Sequence, residues 1–193
     1  LTGRVRLPGF RGQWQEVKLG EVFSPIKDSN DGKDHPIMTI SAKLGLISQQ
    51  KKFDRVIAGD SLKKYTLIRK GDFAYNKGNS KLYEMGCIYQ LEENESALVP
   101  FVYICFRPSE KVDPTFYKHW FINHGLDRQL KRIITSGARG DGLLNVNKSD
   151  FFELKVPLMP KEEQPAIART LPTADAELAL LERRLAALQA QKR

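Results

Sequence analysis

The chain has 193 residues, 41% of them hydrophobic, which is enough for one domain with a buried core and an appended element. No apolar run reaches the roughly 20 residues of a membrane helix, and the N-terminal residues lack the apolar core of a signal peptide. We therefore expect a cytoplasmic protein without membrane contact. The net charge of +8 predicts attraction to polyanions, of which nucleic acid is the usual one.

The positive charge is concentrated in the first 160 residues. Residues 161–193 carry six basic and five acidic side chains, so the preceding residues carry +7 of the +8. Binding of DNA or RNA and simple solvation of a basic surface both fit this distribution.

The elements that come first along the chain are strands. Five short runs are rich in β-branched and aromatic residues and are separated by clusters of glycine, asparagine, lysine and serine. The runs are PIMTI (36–40), YTLI (65–68), GDFAYNK (71–77), GCIYQL (86–91) and LVPFVYICF (98–106). They predict a curved, mostly antiparallel sheet.

A helix is predicted next, over residues 113–135. Asp113 suits the N-cap position, and Pro114 suits the first helical position. The apolar side chains expected in the core are Phe116, Trp120, Phe121, Leu130 and Ile134. A glycine-rich loop, a short amphipathic turn and a last strand ending at Pro157 follow.

The residues after Pro160 predict one long helix with a coiled-coil seam. This segment contains no glycine and is rich in alanine, leucine, glutamate and arginine, which favour helices. Its apolar residues are spaced alternately four and three apart, at Ile167, Leu171, Ala174, Leu178, Leu181, Leu185 and Leu188. Because Pro172 removes a backbone hydrogen bond, we expect a kinked helix, whose seam needs a partner helix.

The predicted fold class is therefore α+β, with a curved, mostly antiparallel sheet domain and packed helices followed by a long C-terminal coiled-coil helix. We place the domain at residues 1–159 and the helix, as a spacer and dimerisation region, at residues 160–193. The predicted pairing residues are Ile167, Leu171, Leu178, Leu181, Leu185 and Leu188.

Both ends of the chain resemble a known family. The C-terminal pattern resembles the conserved helical region of type I restriction-modification specificity subunits; its residues are Pro157, Pro160, Glu163, Gln164, Ile167, Ala168 and Leu171. The N-terminal stretch LTGRVRLPGFRGQWQEVKLGEVF is similar to the junction between such a helix and the next target recognition domain. The matching residues there are Leu7, Pro8, Phe10, Gly12, Trp14, Leu19 and Gly20.

The resemblance implies a non-enzymatic protein that reads DNA and directs adenine methylation and restriction by partner subunits. Family members commonly contain two recognition domains and two helices, so this chain, with one of each, resembles half of a subunit, either a fragment of a longer subunit or a half-subunit that pairs with another. The implied partners are double-stranded DNA, methyltransferase (modification) subunits, a restriction subunit and a second specificity half. That half would bind through the coiled coil, and a second copy of this chain could supply it as a homodimer.

Three loops are candidates for DNA contact, because they combine flexible backbone with side chains that bind phosphates or bases. The first holds Ser41 and Lys43, and the third holds Arg139, which suits a bidentate guanine contact. The second holds Lys77, Asn79, Ser80 and Lys81. Each residue alone also fits an ordinary solvated surface position.

Two other classes of function stay open. Asp141, Glu153 and Lys155 imitate the carboxylate and lysine spacing of a Mg²⁺-dependent nuclease, although such short patterns often occur by chance. The other class is a coiled-coil adaptor protein whose basic charge is incidental. DNA cleavage that a chelator abolishes would favour the nuclease, whereas sequence-selective binding without cleavage would favour the specificity subunit.

No metal or cofactor is predicted. Cys87 and Cys105 lack metal-ligand spacing and are expected as buried thiols. His119 and His124 are five residues apart, off the helical metal spacing, and His35 stands alone. We expect structural or surface roles for all three histidines.

Overall fold

The structure, a computed structural model, describes residues 3, 6–50, 59–78, 82–134 and 143–191. Within these ranges, antiparallel strands and short helices form an α+β domain that is followed by one long helix, as the sequence predicts. In the same ranges, no helix combines the length and apolarity needed to cross a bilayer.

The strands pair in several small antiparallel sheets. They are β1 (Gln15–Lys18), β2 (Phe23–Pro25), β3 (Met38–Ser41), β4 (Gly45–Ser48), β5 (Thr66–Arg69), β6 (Phe73–Asn76), β7 (Cys87–Gln90), β8 (Ser96–Val99), β9 (Ile104–Pro108) and β10 (Lys155–Leu158). A four-stranded sheet has the order β2-β9-β6-β7, and β1-β10, β3-β4 and β5-β8 form two-stranded ladders. The predicted antiparallel pairing is confirmed.

The run LVPFVYICF contributes to two strands, β8 and β9, rather than to one. Pro100 cannot donate a ladder hydrogen bond. A turn follows β8 instead, in which the Tyr103 N–H donates to the Pro100 carbonyl over 3.0 Å.

The described α-helices are α1 (Leu19–Val22), α2 (Pro114–Ile122), α3 (Asp127–Ile133), α4 (Lys148–Phe152) and α5 (Gln164–Gln191). Asp113 caps α2 as predicted, since its carboxylate accepts a hydrogen bond from the Thr115 N–H over 2.9 Å. The long helix runs continuously through Pro172, which confirms one helix rather than two.

The prediction of a single helix over residues 113–135 is wrong, because the helix is interrupted between α2 and α3. His124 adopts a left-handed conformation with φ 61°, which ends a helix. A Cβ at Gly125 would lie 2.4 Å from the Trp120 ring, so only glycine allows this close approach. Apolar spacing alone does not reveal such a break.

Aromatic side chains form most of the core. The Phe23 ring contacts Phe106 and Tyr117 edge-on, with centroids 5.3 and 5.1 Å apart. The apolar residues predicted for residues 113–135 belong to the same cluster: Phe116, Phe121 and Leu130 are buried, and Trp120 and Ile134 are partly buried. Their predicted place in the core is confirmed.

The two ends of the domain meet. β1 pairs with β10 in register, and the Leu19 N–H donates to the Leu154 carbonyl over 2.7 Å. This pairing brings the segment before β1 next to the start of α5.

Candidate nucleic-acid interface

Two of the three candidate loops are adjacent in the structure. Gly78 forms an isolated antiparallel bridge with Leu143, and the Leu144 N–H donates to the Lys77 carbonyl over 2.9 Å. The second candidate loop continues after residue 78, and the glycine-rich loop, which is the third, ends at residue 142. The start of the second loop therefore lies beside the end of the third. Asn79, Ser80, Lys81 and Arg139 lie outside the described residues, and their DNA contacts stay predictions.

The first candidate loop, with Ser41 and Lys43, is the turn of the β3-β4 hairpin. Tyr89 on β7 holds this turn, because its hydroxyl donates to the Ala42 carbonyl over 2.9 Å. Its ring also packs on Gly45, where φ is +78° and a Cβ would lie 3.3 Å from the ring. Burial raises the pKa of Tyr89, so the hydroxyl stays protonated and able to donate.

A cleft of about 410 Å³ joins the hairpin turn to the second candidate loop. Lys43 and Leu44 of the turn line it together with Leu82 and Tyr83. The second candidate loop is therefore flanked by the hairpin turn on its Leu82 side and by the end of the glycine-rich loop on its Gly78 side. We call this surface the loop face; it consists of Ser41–Gly45, Lys77–Gly78, Leu82–Tyr83 and Leu143–Leu144.

Two exposed leucines on the loop face were not predicted from the sequence. Leu44 is 66% exposed and Leu82 is 49% exposed. The sequence feature that could have indicated their exposure is their position in polar loops, directly after Lys43 and Lys81. Lysines can bind phosphates, and exposed apolar side chains can contact thymine methyl groups; the loop face carries side chains of both kinds.

Acidic side chains also border the cleft. Glu92 and Glu93 are among its lining residues. The Glu92 carboxylate pairs with the Lys118 ammonium of α2 over 2.8 Å. This pair offsets part of the negative charge beside the loops.

The base of the long helix is fixed to the domain by a buried carboxylate. Glu163 is 1% exposed and accepts hydrogen bonds from Arg6 Nε and Trp14 Nε1, each over 2.8 Å. Arg6 also pairs with the second carboxylate oxygen. A bidentate arginine and an indole N–H together satisfy a charge that would be costly to bury alone.

Gln164 extends this attachment on the other flank. Its side-chain oxygen accepts from the Asp113 N–H over 2.7 Å, and its amide donates to the carbonyls of Lys111 and Met159. Ile167, one turn on, is 7% exposed in the main core. We call Glu163–Leu171 the foot of α5.

The remainder of α5, residues 172–191, is exposed, and we call it the arm. Leu178, Leu185 and Leu188 are 57–58% exposed and Leu181 is 52% exposed. By contrast, Ile167 and Leu171 of the predicted seam contact the domain of their own chain. Pairing through the seam stays a prediction, and only the arm offers an uncovered face for it.

The structure describes two of the three residues of the nuclease pattern, so the pattern as a whole stays a prediction. Glu153 forms an ion pair with Lys18 over 2.7 Å, and Asp141 lies outside the described ranges. Within those ranges, no group of three His, Cys, Asp or Glu side chains could hold a metal ion. Burial raises the pKa of Cys105 to about 12, so its thiol stays neutral.

The histidines have protein contacts. His35 lies 2.8 Å from both Ser96 Oγ and an Asp31 carboxylate oxygen. His119 Nε2 lies 3.5 Å from Asp175 on the arm. The third histidine, His124, contacts Asp127 and stacks on Tyr83.

A basic α+β domain that gathers several loops on one face and carries a long exposed helix has the architecture of a modular nucleic-acid reader. A family model described as "Type I restriction modification DNA specificity domain" matches residues 12–190. The chain therefore belongs to this family of specificity domains. Among curated protein sequences, none matches the chain significantly.

Solved structures agree in fold. The chain is 19% identical to the HsdS subunit from Thermoanaerobacter tengcongensis, with a TM-score of 0.57 over 91% of this chain and 41% of that one. For the type I restriction-modification S subunit from M. genitalium the identity is 16% and the TM-score 0.60, over 95% and 44%. A chain from a study of type I R-M complex assembly and conformational transition gives 18% and 0.61, over 95% and 44%. The chain thus spans under half the length of these proteins.

Proposed function

We propose that this chain is the DNA-reading half of a type I specificity subunit. The loop face reads one half of a split target, and the arm joins this domain to a second recognition domain. The observation that carries the proposal is the meeting of candidate loops at the Gly78–Leu143 bridge and the hairpin cleft, in a chain that belongs to the specificity-domain family.

Partner subunits would carry out the catalytic reactions of the whole complex. Modification subunits would methylate adenine and a restriction subunit would cleave, while this chain selects the site. The type I complex named for one structural neighbour supports such an assembly. The chain itself would act without a cofactor, in the cytoplasm.

A map of methylated adenines tests the proposal most directly. We expect a split methylated motif to disappear from the genome when the gene is deleted and to return when it is restored. The control is expression of the partner methyltransferase in both strains. An unchanged map with an active methyltransferase would contradict the proposal and favour the adaptor or nuclease alternatives.

Charge removal on the loop face tests which surface binds DNA. Lys43→Gln and Lys77→Gln should each weaken binding and lower the slope of log affinity against log salt by about one. Lys161→Gln removes the same charge just before the foot and should leave the slope unchanged. Binding measured by fluorescence anisotropy at several salt concentrations separates the cases; equal effects of all three variants would exclude the loop face.

A further inference from the structure

We propose that Phe101 reads a thymine of the DNA target by packing its ring against the C5-methyl group of that base. This inference rests on the proposed function, because it names one feature of the DNA that the domain recognises. It is carried by the exposure of Phe101, by the composition and anchoring of the turn that holds it, and by the position of that turn beside Lys77.

Few large apolar side chains of the domain face solvent. Among the residues that the structure describes, those outside the long helix are Leu44, Leu82 and Phe101, and Phe101 is 55% exposed. Leu44 and Leu82 belong to the loop face. Phe101 lies in the turn between β8 and β9, which we call the apolar turn and which consists of Pro100–Tyr103.

The apolar turn extends from the same edge of the four-stranded sheet as Lys77. β6 and β9 are antiparallel, and the pair nearest this edge joins Tyr75 to Ile104. Lys77 follows Tyr75 by two residues, and Phe101 precedes Ile104 by three. Because one of two antiparallel neighbours ends where the other begins, Phe101 and the Lys77 segment of the loop face lie at one edge. All three exposed apolar side chains of the described domain therefore occur beside candidate DNA-contacting loops.

Tyr103 fixes the apolar turn to β3. Its N–H donates to the Pro100 carbonyl over 3.0 Å, which closes the turn. Its hydroxyl accepts a hydrogen bond from the Ile40 N–H over 3.2 Å and lies 3.1 Å from Thr39 Oγ1. β3 continues directly into the hairpin turn of the loop face. The backbone that carries the Phe101 ring is therefore restrained, which lowers the conformational entropy lost on binding.

The side chains of the apolar turn select the kind of base feature that it can recognise. Pro100, Phe101 and Val102 are apolar, and the Tyr103 hydroxyl already bonds to β3. In the major groove, guanine, cytosine and adenine present only hydrogen-bonding groups, whereas thymine also presents a methyl group. The thymine methyl group is therefore the base feature that matches this turn.

The charge around the apolar turn favours DNA as its occupant. Residues 1–160 carry a net charge of +7, and Lys77 extends from the same edge of the sheet. A lysine beside an exposed ring suits DNA, where the ammonium group binds a phosphate while the ring reaches a base. The core of a protein interface is depleted in lysine.

Removal of a single methyl group tests the contact. The unsubstituted 193-residue chain first selects duplexes from a pool of random-sequence DNA. Each thymine of the selected sequence is then replaced in turn by deoxyuridine, which lacks only the C5-methyl group. At the thymine that Phe101 contacts, we expect affinity to fall by about fourfold, the effect of one methyl group leaving an apolar contact.

The Phe101→Ala variant identifies the side chain that senses this methyl group. At one methyl-sensitive thymine it should bind the thymine and deoxyuridine probes with equal affinity, because the ring that distinguishes them is gone. Leu180→Ala is the matched control, since Leu180 is an exposed leucine of the arm, and it should keep the fourfold ratio of about. Circular dichroism of both variants checks that the fold is intact.

Two results would overturn the inference while leaving the proposed function in place. The first is a selected sequence that binds equally well with deoxyuridine at every thymine, which would favour insertion of the ring between base pairs or a protein partner for the turn. The second is a Phe101→Ala variant that stays sensitive at every thymine where the unsubstituted chain is sensitive. Selection of no sequence by the unsubstituted chain would instead contradict the proposed function, and this inference with it.

Discussion

The foot and the arm of α5 continue the same apolar repeat but have opposite environments. In the foot, Ile167 is 7% exposed and packs in the core, whereas Leu185 in the arm is 57% exposed. The buried Glu163 and Gln164 hold the foot against the domain. Among the described residues, the one ion pair between the arm and the domain joins Asp175 to His119. A heptad repeat therefore identifies the apolar face of a helix without identifying what covers it.

The Leu181→Lys substitution should have the largest effect and acts on the arm alone. A charge within a paired seam would be buried without a partner, so association should weaken at least about a hundredfold. Leu180→Lys is the matched control, since Leu180 is 48% exposed but lies off the seam. Sedimentation gives the mass and circular dichroism the fold; an unchanged mass for Leu181→Lys would refute helix pairing.

Glu163→Ala acts on the foot alone. It leaves Arg6 and the Trp14 indole N–H without their acceptor, so the free energy of unfolding should fall by about 2–3 kcal/mol, a discounted value because Arg6 is 19% exposed. Glu162→Ala, at the exposed neighbouring position, should change it little. Urea unfolding measures both, and equal stabilities would show that the Glu163 contacts do not hold the helix.

The smallest effect is expected where Asp175 of the arm contacts His119 of the domain. Burial, together with Lys118, lowers the pKa of His119, while Asp175 and Glu92 raise it. His119 therefore binds a proton more readily in the unfolded chain than in the folded chain. Its contribution to the free energy of unfolding is present above about pH 6.5 and is lost as the pH falls through that value towards the lower pKa of the folded state.

NMR titration of His119 checks this contact. Asp175→Asn should lower its pKa further, since it removes a charge that favours the protonated ring. The stability of His119→Gln should also depend less on pH than that of the unsubstituted chain. An Asp175→Asn variant with an unchanged His119 pKa would mean that the arm does not contact this histidine in solution.

The residues that carry the family resemblance in the sequence meet at the foot. Arg6, which lies beside the matching Leu7, and Trp14 bind Glu163, and the Pro157 carbonyl accepts a hydrogen bond from Tyr117 over 2.6 Å. Residues from both ends of the chain that carry the resemblance therefore take part in one set of contacts at the foot. The sequence pattern predicted the motifs, but not that side chains 149 and 157 residues apart contact each other.

The candidate site was predictable only in part. Loops rich in lysine, serine and glycine were recognisable between the predicted strands, but their adjacency depends on the Gly78–Leu143 bridge and on Tyr89 holding the hairpin turn. Leu44 and Leu82 went unrecognised because an isolated leucine in a loop has no periodicity to mark it as exposed.

The sequence by itself determined the α+β class, the Asp113 cap, the aromatic core and the long C-terminal helix, because each depends on local propensity or on regular apolar spacing. Only the tertiary structure decided that the helix predicted over residues 113–135 breaks at His124 and that Ile167 is covered by its own domain while Leu185 is not. Spacing along a chain fixes which side chains share a face. Which surface then covers that face depends on contacts between residues far apart in sequence.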